Sequence, residues 1–213
     1  MKIKFKKYWR KTSLKNEQDA HTFLNHVNNI KPKNFLEIGV FHGVTARNVC
    51  DLLFKIHGND FQFTGIDLFE KNDRVSKDEL VPRTKFNNPL KTLYYKYIVK
   101  LDPYSIESVY KLLKKYKNNI NIIKGDSNKV LKEISLEKID YVFLDGGHKY
   151  ETVRSDLDNL IYVINKNGII LCDDYNLTYA PGVKKAIDEY DSKRNLNLRI
   201  LNSRFAEITK KIP

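Results

Sequence analysis

Asp145 and His148 stand three residues apart across two glycines in Phe143-Leu-Asp-Gly-Gly-His148, and Asp173-Asp174 closes a second apolar run further on. Three carboxylates and an imidazole can together hold a cation and move a proton. Carboxylates brought close repel one another unless a cation or shared protons compensate. Oxygen-only donors suit magnesium or calcium better than zinc. An imidazole titrates near neutral pH, which suits a general base. Each feature also has a plainer reading: Asp145 or Asp173 capping a turn, Asp174 solvated, or His148 in a structural hydrogen bond with Asp145 or Lys149 as base.

These side chains act together only if strands bring them to one edge. Residues 139–144 form an apolar, aromatic and β-branched run that stops at Asp145, and 169–172 form another that stops at Asp173, so both predict buried strands. Strands are also predicted at 34–39, 61–67, 120–123, 196–201 and 205–209. Between them, helical spacing appears over 14–30, from Val44 to a stop at Gly58, over 105–117, around Val130–Leu131, from Tyr150 to a stop at Gly168, and from Pro181. This alternation predicts an α/β fold with a doubly wound, mainly parallel, seven-stranded sheet. Ligands of such sheets bind beyond the carboxyl ends of the strands. Residues 68–104 read differently, with Pro82, Pro89 and Pro103 and the cluster Tyr94, Tyr95 and Tyr97, and are expected to form an insertion acting as a lid.

The same edge carries the turn Glu37-Ile-Gly39-Val-Phe-His-Gly43, Asp67 at the end of the second strand, and Asp126 in Gly125-Asp-Ser127. The glycines are four apart, so this is not the G-x-G-x-x-G of dinucleotide sites. Glu37-x-Gly39-x-x-x-Gly43-x-Thr45 resembles the first motif of class I S-adenosylmethionine-dependent methyltransferases, and the resemblance runs from about residue 34 to 190. It implies the Rossmann-like methyltransferase fold. It also implies a cofactor site of Glu37, Gly39, Phe41, Gly43, Thr45, Asp67, Asp126, Ser127 and Asp145. In this scheme Asp67 takes the ribose hydroxyls and Asp126-Ser127 lies beside the adenine.

More narrowly, Phe143-Leu-Asp145-Gly-Gly-His148-Lys-Tyr150, Gly168-Ile-Ile-Leu-Cys-Asp173-Asp174-Tyr175 and Pro181-Gly-Val-Lys-Lys-Ala resemble metal-dependent sugar O-methyltransferases of macrolide and aminocoumarin biosynthesis. That resemblance implies Mg2+ or another divalent cation on Asp145, Asp173 and Asp174, and catalysis by His148 and Asp145. Tyr150 and Tyr175 are expected to meet the substrate. His21, His26 and His57 show no metal spacing, and His42 lines the cofactor turn at most.

The chain has 213 residues, two cysteines and a net charge of +12. We expect residues 1–30 to be a basic arm and helix, and 31–213 one methyltransferase domain. Two isolated cysteines predict no disulfide framework, and the basic N-terminus lacks a secretory signal's apolar core, so a cytoplasmic location is expected. The expected partner is a small hydroxylated acceptor, with no membrane span and with a homo-oligomer compatible. The positive charge raises RNA or another nucleic acid as an alternative, weakened because the charge is mostly dispersed lysine. A non-catalytic nucleotide-binding protein of the same fold is a second alternative.

Overall fold

Apolar runs and amphipathic stretches alternate along the chain, and the computed structural model turns each into an element; residues 4–70, 86–134, 138–194 and 196–211 are described. In order these are α1 (Glu17–Ile30), β1 (Asn34–Ile38), α2 (Val44–His57), β2 (Gln62–Asp67) and α3 (Pro89–Leu93), which runs into a π-helical turn (Tyr94–Val99). Then follow α4 (Ile106–Leu112) with a 3-10 turn (Lys114–Tyr116), β3 (Ile120–Lys124), α5 (Ser127–Glu133), β4 (Ile139–Leu144) and α6 (Tyr150–Val163). The chain closes with β5 (Ile164–Cys172), α7 (Pro181–Arg194), β6 (Leu196–Leu201) and β7 (Phe205–Lys210). The part of the expected lid at 71–85 lies outside the described residues.

The strand order is β3-β2-β1-β4-β5-β7-β6. β1 to β5 run parallel, and β7 lies antiparallel between β5 and β6. The expected seven-stranded, mainly parallel sheet is therefore present. Residue alternation sends Phe35, Phe63, Tyr141 and Phe143 to one face, against Phe23, Val27, Val49 and Leu53 of α1 and α2. Leu36, Val142, Leu144 and Ile170 go to the other, against Leu157, Leu160, Val183 and Ile187 of α6 and α7. Both faces are thus covered, as a parallel sheet requires. Phe63, Phe35 and Tyr141 stack across β2, β1 and β4 with centroids 5.6 and 5.0 Å apart, which locks the register of the strands that carry the site.

One sequence expectation is corrected. Gly168 does not end a helix: α6 stops at Val163, and β5 begins at once, pairing Ile164 with Ile139 and, after a register shift, Ile169 with Tyr141. Gly168 sits in that irregular stretch, where a Cβ would come within 2.9 Å of the Ile139 carbonyl oxygen. Its glycine is required by the close approach of β4.

The N-terminal arm packs onto the sheet edge. Arg10 is buried and donates to the carbonyl of His42 and to the carbonyl and hydroxyl of Ser108, while Tyr8 donates to Asp51. Among the described residues, no helix is long and apolar enough to cross a membrane.

Candidate active site

The sheet's hydrogen-bond ladder continues one residue beyond its strands. Asp145 N–H donates to Ile38 O at 2.8 Å, and Asp173 N–H donates to Leu144 O at 2.9 Å, so these acids emerge from adjacent strand ends. Asp174 has φ +59°, a left-handed conformation that aspartate tolerates better than most residues. Its N–H donates to its neighbour's carboxylate, Asp173 Oδ1, at 2.8 Å. The chain therefore turns back on itself, and the ligand oxygens of Asp145, Asp173 and Asp174 all lie within 4.8 Å of one another. His148 Nε2 is 2.9 Å from Asp174 Oδ2, so the imidazole joins the cluster.

Three further groups complete it. Arg204, from the turn between β6 and β7, donates two bonds to Asp173 at 2.6 and 2.7 Å and approaches Asp174 at 3.3 Å. Ser13 of the arm donates to Asp145 Oδ2 at 2.5 Å, and the Tyr179 hydroxyl donates to Asp174 Oδ1 at 3.3 Å. A cavity of about 10 Å³, lined in part by Asp145, Gly146, Gly147, His148, Asp173 and Asp174, lies among them. That is room for little more than one water-sized sphere.

Burial first, then Asp173 and Asp174, raises the Asp145 carboxyl well above its ordinary value. Burial likewise raises Asp173, although its bonds to Arg204 oppose this. Burial alone would favour neutral Arg204, but the acids outweigh it and hold the guanidinium protonated. With all three carboxylates ionised against one arginine, the cluster would carry a surplus of about two negative charges, enclosed where charge is costly unless protons or a cation offset it. A hard divalent cation would supply the missing charge, and the donor set is all oxygen, as magnesium or calcium prefers. The residues present fit such an ion.

The glycine turn leads from β1 to α2 beside these acids. Gly39 has φ +93°, and a Cβ there would stand 1.9 Å from the Asp145 carbonyl oxygen, so only glycine lets the turn lie against the end of β4. Phe41 and Gly43 also have positive φ, and Gly43 precedes the first turn of α2, in which Thr45 is buried. Asp67 binds this turn directly: Oδ2 accepts from Phe41 N–H at 2.7 Å, and Oδ1 accepts from Phe69 N–H at 2.8 Å and the Tyr104 hydroxyl at 2.9 Å. Asp126 caps α5 through Asn128 N–H, and the Ser127 hydroxyl donates to Asp156 of α6 at 2.6 Å. Glu37 is 1% exposed, and neither carboxylate oxygen has a hydrogen-bond partner.

Residues 36–175 match a family described as a methyltransferase domain. The chain belongs to this family. No curated protein sequence matches it. Among solved structures, it is similar to the O-methyltransferase NovP, with a TM-score of 0.67 and 18% identity over 90% of this chain and 81% of that one. It is also similar to S-adenosylhomocysteine-bound PaMTH1 of Podospora anserina, with a TM-score of 0.62 and 17% identity over 93% and 80%. CalS11, a TDP-rhamnose 3′-O-methyltransferase of calicheamicin biosynthesis, gives a TM-score of 0.60 and 17% identity over 92% and 81%. At these identities the likeness is one of fold: the chain is a Rossmann-like, S-adenosylmethionine-dependent methyltransferase.

Within this methyltransferase the sequence reading brings together Asp145, His148, Asp173 and Asp174 at one point and Glu37, Gly39, Phe41 and Asp67 beside it. It does not bring Tyr150 and Tyr175 there. Tyr150 donates to Glu189 of α7 at 2.7 Å, and Tyr175 donates to Asp188 of α7 and accepts from Lys184. The reversal at Asp174 turns the following tyrosine away from the acids. The groups that sequence reasoning missed are Ser13, Tyr179 and Arg204. Arg204 had one signal, an arginine in a chain that otherwise relies on lysine, because the planar guanidinium suits a buried two-bond carboxylate contact.

The orphaned Glu37 carboxylate gives a prediction with two opposite signs. Burial, with Asp67 second, raises its pKa well above the ordinary value. An acid raised on folding favours the fold while protonated, so its stabilising effect is present at low pH and is lost as pH rises above about 4.5. Glu37→Gln should therefore stabilise the protein at pH 7 by about 1–3 kcal/mol, the cost of leaving a buried polar group unmade. The advantage should vanish near pH 4. The same change should weaken S-adenosylhomocysteine binding about tenfold, by removing a carboxyl that the ammonium group of the bound cofactor would hold ionised. Thermal melts across pH and calorimetry read both effects, and a pH-independent difference in stability would show that Glu37 is already compensated.

Proposed function

We propose that the protein is an O-methyltransferase, metal-assisted, acting on a hydroxyl of a small molecule, a sugar or glycosylated metabolite. The observation that carries this reading is the cluster of Asp145, Asp173 and Asp174, three carboxyl groups set against the single cation of Arg204 and against the glycine turn through Gly39. Acceptor and methyl donor would then meet across one backbone contact. The TDP-rhamnose specificity in the name of CalS11, whose fold the chain shares, supports the sugar class.

When bound, S-adenosylmethionine supplies the methyl group, and a divalent ion lowers the pKa of the acceptor hydroxyl. Asp145, Asp173 and Asp174 would hold that ion, with Arg204 fixing Asp173 and Ser13 fixing Asp145. Asp67 holds the turn through Phe41 N–H and would take the ribose hydroxyls, while Asp126 and Ser127 would lie beside the adenine. His148 stands within a hydrogen bond of Asp174 and takes the acceptor's proton, the imidazole being oriented by that carboxylate.

Tyr179 stands over the cluster, its ring centroid 6.3 Å from that of His148, its hydroxyl on Asp174 and its surface 57% exposed. An exposed ring anchored at its tip offers a flat apolar face to a hydroxylated ring. Tyr179→Ala should raise the acceptor KM several-fold, up to about tenfold, as a single aromatic contact provides, and leave S-adenosylhomocysteine affinity unchanged. An unchanged KM would remove this contact from the site.

The deciding experiment offers the enzyme nucleotide sugars, glycosides and single-stranded RNA as acceptors, with magnesium and with chelator. Transfer to sugar hydroxyls that stops with chelator is expected. Transfer indifferent to chelator would remove the metal, and transfer to RNA alone would remove the small-molecule acceptor.

A further inference from the structure

Residues 89–99 form one helical rod from α3 and the π-helical turn, and its apolar side faces out. Leu90, Leu93, Tyr94, Tyr97 and Ile98 follow the i, i+3, i+4, i+7, i+8 spacing that ordinarily marks the core-facing stripe of a helix. All five are exposed, from 40% for Tyr94 to 71% for Ile98. Tyr95 is the one buried residue on the rod, stacked on Phe86 at 5.1 Å and lying over Arg10. Trp9 of the arm, 59% exposed, extends the apolar face by meeting Tyr94 edge-on at 5.7 Å, with Lys91 over its indole. A contiguous apolar surface of this kind marks a contact site.

Its charge says what it contacts. Residues 4–16 and 86–101 contain no aspartate or glutamate, whereas Lys4, Lys6, Lys7, Lys96 and Lys100 are exposed on these two segments. The partner must therefore be anionic and must also accept aliphatic side chains. A second copy meeting face to face would set these lysines against their own counterparts. Nucleic acid would stack on Trp9 and Tyr97 but offers nothing to Leu90, Leu93 and Ile98. An anionic lipid surface satisfies both requirements, with tryptophan and tyrosine at headgroup depth, aliphatic side chains below them, and lysines reaching lipid phosphates on flexible stems.

We propose that residues 89–99, with Trp9 beside them, form an interfacial docking face for an anionic lipid bilayer. The rod lies in the plane of the interface without crossing it. Docking is independent of methyl transfer, because none of these side chains touches the acids or the glycine turn.

The test is flotation of the full chain with vesicles at about 0.15 M salt. Vesicles of phosphatidylcholine with roughly one-third phosphatidylglycerol should carry the protein up, and pure phosphatidylcholine should not. Leu93→Ser with Ile98→Ser should cut partitioning at least about tenfold. Lys96→Gln with Lys100→Gln should cut it about fivefold per charge. Both double variants should keep the wild-type melting temperature and S-adenosylhomocysteine affinity, because the replaced side chains are exposed. Failure to float with anionic vesicles, or equal flotation of the serine variant, overturns the proposal. So does a dimer that the serine variant returns to monomer, or tight binding to polyuridylate without lipid binding.

Discussion

Asp174→Asn is expected to slow methyl transfer by about 10²–10³-fold, because the acids would hold less firmly the cation that activates the acceptor hydroxyl, while the protein folds and binds S-adenosylhomocysteine normally. Asparagine tolerates the left-handed conformation at this position at least as well as aspartate, so the backbone turn survives. What is lost is a full negative charge from a trio whose carboxylate oxygens converge within 4.8 Å, together with the anionic partner of His148. Asp173 would be a poorer test. It carries both short bonds from Arg204, and its removal would strand a buried guanidinium at a cost of about 3–5 kcal/mol. His148→Gln separates proton removal from ion binding: it should cost about 10²-fold in rate yet leave calorimetric metal binding intact. Single-turnover assays with rising magnesium or manganese then divide the two, since excess metal should partly rescue Asp174→Asn and not His148→Gln. Wild-type turnover by Asp174→Asn would end the metal reading.

Gly39→Ala should cost about 3–5 kcal/mol of stability, combining overpacking with left-handed strain, and should abolish cofactor binding in whatever fraction still folds. The added carbon would stand 1.9 Å from a backbone oxygen, and Asp145 cannot yield, because its N–H is tied to Ile38 O in the strand ladder. Gly58→Ala is the control. Gly58 also has positive φ, with ψ −127° outside the left-handed helical region, and nothing lies within 4 Å of its added carbon, so only a backbone penalty of about 1–3 kcal/mol should appear. Equal losses at both positions in urea titrations would show that the Gly39 contact carries no special weight.

What the sequence made legible was whatever repeats at short range. Strands and helices announced themselves by periodicity, and the acids at 145, 173 and 174 by their position just after apolar runs. Gly168 misled because a glycine after a helical pattern reads as a cap, whereas here it admits a neighbouring strand. Tyr150 and Tyr175 misled because sequence adjacency to an acid does not fix direction: a helix start and a reversed backbone send both hydroxyls to α7. Ser13 and Arg204 escaped notice because they reach the acids from 132 and 31 residues away, and no local pattern encodes such contacts.

Arg204 also approaches Asp19 and the Ser13 carbonyl across 185 and 191 residues, from the chain's last hairpin back to its first helix and arm. The chemistry therefore rests on contacts between segments far apart in the chain, whose closure costs more entropy than that of local contacts. The parallel strands can pair before β6 and β7 close, but until they do the acids lack their arginine, and both cores stay open where Phe205 joins one and Leu196, Ala206 and Ile208 join the other. Catalytic competence is thus a clock for topological completion. In refolding, methyl transfer should appear only once the β6–β7 hairpin has met α1 and the arm, no earlier than the last of the backbone circular dichroism signal.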